Sequence, residues 1–135
     1  MSILIVIPAR YASVRFPGKP LALIAGKPMV RWVYEAARRA LPRVVVATDD
    51  DRIRQVAERF CRVEMTRADH PSGSDRIAEA ARGIECDAVV NIQGDEPMID
   101  PGTIDLVAAA LERADMSTAA PPITRAEDLD HPHVV

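Results

Sequence analysis

Residues 3–20, ILIVIPARYASVRFPGKP, decide how the rest of the chain is read. The segment opens with an apolar run, Ile3 to Ile7, closed by Pro8. A run of that length bounded by turn residues predicts a buried strand feeding a loop. The loop carries three cations, Arg10, Arg15 and Lys19, together with Ser13, Pro17 and Gly18. In an open α/β sheet such a loop leaves the carboxyl edge of the strand, where ligands bind. A lone basic loop is most often a solvated surface. Three cations on one short loop repel one another, however, and a polyanion such as a triphosphate is the partner that relieves the repulsion. Pro17 stiffens the loop, and Gly18 lets the backbone turn or approach a ligand closely.

The chain beyond alternates. Gly26, Lys27 and Pro28 break the loop, and Pro28 suits the first turn of a helix over Met29–Leu41, which Pro42 ends. In that helix Met29, Val33, Ala36, Ala37 and Ala40 share one face, and Trp32 and Tyr34 are expected to pack. Arg43 to Thr48 is β-branched and predicts a second strand. Asp49, Asp50 and Asp51 signal a cap before a helix over Arg52–Phe60. Arg62 to Thr66 predicts a third strand. The loop Arg67 to Gly73 follows, then a helix capped by Ser74 or Asp75 and running to about Arg82. Asp87 to Gln93 predicts a fourth strand, followed by Gly94, Asp95, Glu96 and Pro97. Asp100 then Pro101 opens a helix to about Arg113, and Ser117 to Ile123 predicts one further strand. Strands alternating with helices imply a parallel sheet with right-handed crossovers. At 135 residues the chain is expected to form a single domain, 1–135.

Composition narrows the function. The net charge of -3 lacks the basic footprint of a nucleic-acid binder, and at 4% aromatic residues the chain has few bases' worth of stacking surface. No apolar run is long enough to span a bilayer. The apolar N-terminus stops at Pro8 and Arg10 with no basic region before it, a poor signal peptide. Cys61 and Cys86 form no CxxC pair and no ligand cluster with the three histidines, and both are expected to be small buried thiols in a reducing cytoplasm. His70 is expected to be a loop hydrogen-bonder rather than a base, and His131 and His133 sit at the chain end.

In a parallel sheet the polar loops Arg10–Lys19, Asp49–Asp51, Arg67–Gly73 and Gly94–Pro97 all leave the same edge. That gathers cations and carboxylates around one crevice. The chemistry this suggests is phosphate held by Arg and Lys, with a divalent cation held by a carboxylate, and Asp95 is the best placed for the latter. There is no GxxxxGK[ST], so the chain is not a P-loop protein, and no GxGxxG follows the first strand.

Four segments in this order, IPARYASVRFPGKPL, VVVATDD, MTRADHPSGSDRIAE and VVNIQGDEPMI, resemble the 3-deoxy-manno-octulosonate cytidylyltransferases, or CMP-Kdo synthetases. The resemblance covers nearly the whole chain. It implies a Rossmann-like nucleotide-diphospho-sugar transferase fold, with a mainly parallel sheet flanked by helices. It also implies a Mg²⁺-assisted reaction of CTP with Kdo that gives CMP-Kdo and pyrophosphate for lipopolysaccharide. Alternatives are a related enzyme acting on 8-amino-Kdo, or CTP binding without turnover. By the same resemblance Arg10, Ser13, Arg15 and Lys19 hold the triphosphate, and Pro8 and Ala9 lie near the nucleotide as backbone. Ser72, Gly73 and Arg76 line the nucleotide and sugar pocket, Gln93 positions the substrates, and Asp95 is a Mg²⁺ ligand. Arg10, Lys19 and Asp95 are the expected catalytic residues, a homodimer is the family's assembly, and the cytoplasm its compartment. Family members are longer, so the chain is expected to correspond to the N-terminal, nucleotide-binding portion, with the fold truncated at its C-terminal end.

Overall fold

The strand-forming sequence runs become four parallel strands of one sheet in the computed structural model, which describes residues 1–130; His131 and His133 lie outside the described residues. Strand β1 (Ile3–Pro8) is followed by a 3-10 turn (Lys19–Leu21), a hairpin of β2 (Leu23–Ile24) and β3 (Lys27–Pro28), and helix α1 (Met29–Ala40). Then come β4 (Val44–Thr48), α2 (Asp51–Ala57), β5 (Arg62–Met65), α3 (Gly73–Ala81), β6 (Ala88–Asn91) and α4 (Pro101–Ala110). The sheet order is β5-β4-β1-β6, with every neighbouring pair parallel. Ile5 lies beside Val44 on one side and Val90 on the other.

The alternation of β1 explains the layers. Ile5 and Ile7 point to one face, where they join Val30, Val33 and Ala37 of α1, Ile53 and Ala57 of α2, and Ile104 and Ala108 of α4. Leu4 and Val6 point to the other, with Val45, Ala47, and Ile77 and Ala80 of α3. A strand covered on both faces must be apolar at every position, and Leu4 to Ile7 are at most 1% exposed. The chain steps outward from β1 to β4 to β5 with α1 and α2 on one face. It then crosses back by α3 on the other face to reach β6. The direction of winding reverses between β1 and β6, which is where a doubly wound sheet opens a ligand crevice at its carboxyl edge.

Three expectations need correction. Ser117 to Ile123 forms no strand: the segment is irregular, and Ser117 Oγ donates to Val107 O at 2.7 Å. Pro121 and Pro122 have no N–H to give a ladder, and no neighbouring strand receives the segment. The third helix is capped by Ser72, whose Oγ accepts from Asp75 N at 3.2 Å, rather than by Ser74 or Asp75. Cys61 and Cys86 are free thiols that are half-buried rather than buried. Burial still pushes the Cys61 thiol up to about 12, so it stays protonated at neutral pH. The hairpin of β2 and β3 was not anticipated. Its turn places Ala25 at φ 48 and Gly26 at φ 77, the left-handed pair of a tight hairpin. No helix among the described residues is long and apolar enough to cross a membrane.

Candidate functional site: the crevice between β1 and β6

A cleft of about 670 Å³ opens at the reversal point. Its floor is built by a close approach of two strand ends. Gly94 N donates to Pro8 O at 3.3 Å, and a Cβ on Gly94 would come to 2.9 Å from that same oxygen. Only glycine lets the loop after β6 lie this near the loop after β1. Ala9 N donates to Ala47 O at 2.9 Å, so β1 stays in register with β4 up to the mouth of the cleft.

The loop after β1 makes one wall. Gly18, at φ 70, turns the chain into the 3-10 turn that starts at Lys19. Lys19 Nζ reaches across the cleft to Asp95 Oδ2 at 3.2 Å, and the two side chains are 40% and 52% exposed. Arg10 and Arg15 are exposed and have no carboxylate partner among the described residues. Ser13 Oγ accepts from Phe16 N at 3.3 Å, which folds the loop tip on itself. The opposite wall is Gln93, Gly94 and Asp95, and Gly73 at the first turn of α3 closes one side. A Cβ on Gly73 would lie 3.6 Å from the Gln93 side chain and 3.7 Å from Pro8 Cγ, so the start of α3 packs directly on the crevice. Backbone N–H groups at such a helix start favour an anion nearby.

Of the residues singled out in the sequence, Pro8, Ala9, Arg10, Ser13, Arg15, Lys19, Gly73, Gln93 and Asp95 line this one cleft. Ser72 and Arg76 do not. Ser72 is occupied as the cap of α3, and its Oγ also donates to Asp75 Oδ2 at 2.6 Å. Arg76 is 1% exposed, so it is a brace rather than part of the pocket lining. Its guanidinium donates to Thr66 Oγ1 and to Arg67 O (3.1 Å), and lies 3.6 Å from Asp49 Oδ1. These contacts tie the loops after β4 and β5 to α3, and Arg76 Nε is buried with no partner. His70 Nε2 is bonded to Glu79 Oε2, which also accepts from Arg67 N at 3.2 Å. The His70 contact is the chief cause holding the Glu79 carboxyl below its ordinary value. His70 is thus a loop hydrogen-bonder, outside the cleft.

Sequence reasoning missed three contributors. Val14 and Phe16 add exposed apolar surface to the loop wall. Tyr11 carries the Arg52 guanidinium over its ring, 3.2 Å from the centroid, and packs against the core.

The arrangement can hold a polyphosphate between the cationic wall and the start of α3, with a carboxylate opposite for a divalent cation. Comparison with known proteins points the same way. The sequence profile described as cytidylyltransferase matches residues 4–135. The 3-deoxy-manno-octulosonate cytidylyltransferase of Pseudomonas fluorescens is 55% identical over 97% of this chain and 55% of its own length. That of Geobacter sulfurreducens is 52% identical over 100% of this chain and 56% of its own length. The solved structure of a CMP:2-keto-3-deoxy-manno-octonic acid synthetase complexed with CTP superimposes with a TM-score of 0.81 at 45% identity, covering 85% of this chain and 49% of that one. The chain therefore spans a little over half the length of the curated relatives it matches.

Proposed function

The chain belongs to the cytidylyltransferase family, and on that premise we propose that it takes part in the transfer of the cytidylyl group of CTP to Kdo, with release of pyrophosphate, the activation step for lipopolysaccharide. The observation that carries the reading is the meeting of Arg10, Arg15 and Lys19 with Asp95 across the β1/β6 reversal point. The curated relatives named for this activity share half or more of its residues, which supports the same substrates.

In this reading Arg10, Ser13, Arg15 and Lys19 bind the triphosphate, and the Pro8 and Ala9 backbone lies along the nucleotide. Gln93 orients the acceptor sugar. The anomeric hydroxyl oxygen of Kdo forms a bond to the α-phosphorus of CTP and gives up its proton to solvent, and the bond from that phosphorus to the bridging oxygen breaks. The electron pair and the growing negative charge leave with pyrophosphate. Cations held ready at the β- and γ-phosphates stabilise that charge more in the transition state than in the ground state. Lys19 and Asp95 are both about half exposed, so exchanging their mutual ion pair for ligand contacts costs little.

Asp95 is the side chain that would hold Mg²⁺. Among the described residues no group of three or more His, Cys, Asp or Glu converges on a point. Among the described residues that line the cleft Asp95 is the one carboxylate, which suits Mg²⁺, an ion commonly held by one or two carboxylates plus phosphate oxygens and water. When bound there, the ion would neutralise phosphate charge. The same reading makes residues 1–135 the nucleotide-binding portion of a single domain, the cytoplasm its compartment and a homodimer its assembly.

Product analysis tests the proposal. Folded chain incubated with CTP, Kdo and Mg²⁺ is expected to yield CMP-Kdo. CTP that binds yet stays intact would reduce the function to nucleotide binding, and CTP that does not bind would remove it.

A further inference from the structure

Arg10, Arg15 and Lys19 cannot hold themselves together, because like charges on an exposed loop push apart. Something outside the cleft must fix the loop's shape. Residues 11–18 form a ring closed by Gly18 N donating to Tyr11 O at 2.8 Å. The Tyr11 side chain covers that closure: a Cβ on Gly18 would come to 2.8 Å from Tyr11 Cε2 and 3.2 Å from its hydroxyl oxygen. The same ring carries Arg52 over its face at 3.2 Å from the centroid. Arg52 is fixed in turn by Asp50, Nη2 to Oδ2 at 2.7 Å, while Asp50 caps α2 by accepting from Arg52 N and Ile53 N. A guanidinium held over an aromatic face is a directional contact, and here it runs from the rigid first turn of α2 to the neck of the cationic loop.

We propose that Tyr11 is a positioning residue for polyphosphate recognition: its ring fastens the neck of the loop to the capped start of α2, and so keeps Arg10, Arg15 and Lys19 converged on one site. The proposal rests on the reading of the cleft as a triphosphate site and adds how that site is kept in shape. Loss of the ring releases the cationic wall, whereas the contacts that build the cleft floor, Gly94 N to Pro8 O and Ala9 N to Ala47 O, do not use it. Affinity then falls in step with the number of phosphates, a pattern that general loss of structure does not produce.

The test is titration of the full chain with CTP, CDP and CMP in Mg²⁺ buffer. Tyr11→Ala is expected to weaken CTP binding by about tenfold or more while CMP changes by less than about twofold, the scale of a small misplacement of binding groups. Tyr11→Phe keeps the ring and is expected to match the wild type. Arg52→Gln, at an exposed position, is expected to give a smaller loss in the same order, CTP before CMP, and carries the test if Tyr11→Ala does not fold. Equal losses for all three nucleotides, no loss, or a Tyr11→Phe variant as weak as Tyr11→Ala would overturn the proposal. A wild-type chain that binds CTP no better than CMP would instead overturn the reading of the cleft itself, and this proposal with it.

Discussion

Lys19 and Asp95 carry opposite charges 3.2 Å apart, and each is about half exposed. As a salt bridge the pair is worth little, because water screens it. Its value lies in poising a cation and a carboxylate on facing walls of one cleft. In the proposed function, removal of Lys19 takes away a charge aimed at the leaving phosphates. Lys19→Ala is expected to lower pyrophosphate release on the order of 10²-fold, the scale of losing one such donor. Asp95→Asn is expected to lose the Mg²⁺-dependent activity. Near-normal turnover in the first variant, or an unchanged Mg²⁺ requirement in the second, contradicts the role given to that residue. Both residues were legible in the sequence because each follows a strand, and strand ends in a parallel sheet share an edge. Arg76 was not legible in the same way. Arginine is rarely buried, and only the packing of α3 on the loops after β4 and β5 reveals that its guanidinium is enclosed.

At the scale of elements, the loop between β5 and α3 is fastened to its helix by Glu79, which takes hydrogen bonds from His70 and from Arg67 N. The Glu79 carboxyl is held below its ordinary value, chiefly by the His70 hydrogen bond. A carboxyl depressed in the folded state binds fewer protons there than in the unfolded chain. Its stabilisation is therefore fully present above the unfolded value and is lost as pH falls through the folded one. Urea midpoints of the wild type and Glu79→Gln, compared between about pH 3 and 6, are expected to differ most at the upper end and to converge at the lower. A constant difference across that range contradicts a titrating brace. The main elements were legible for simple reasons: β-branched runs gave the strands, and Asp50 and Asp100 gave two helix caps. The hairpin of β2 and β3 was not, since two residues a side show no alternation and alanine seldom takes the left-handed conformation that Ala25 adopts. The Tyr11–Arg52 contact was hidden for a related reason, because it joins two elements that only the fold brings together.

For the whole molecule, the order β5-β4-β1-β6 converts scattered motifs into one site. The two segments flanking the reversal, after β1 and after β6, supply the cationic wall and the carboxylate, and Gly94 welds them at Pro8. In the proposed function this crevice is where CTP binds. Amide chemical-shift mapping of the labelled chain, titrated with CTP and Mg²⁺, tests that placement. The largest changes are predicted in residues 9–19, at Gly73, and at Gln93, Gly94 and Asp95. Saturating CTP that leaves those amides unmoved, or moves chiefly amides far from the β1/β6 crevice, would contradict it.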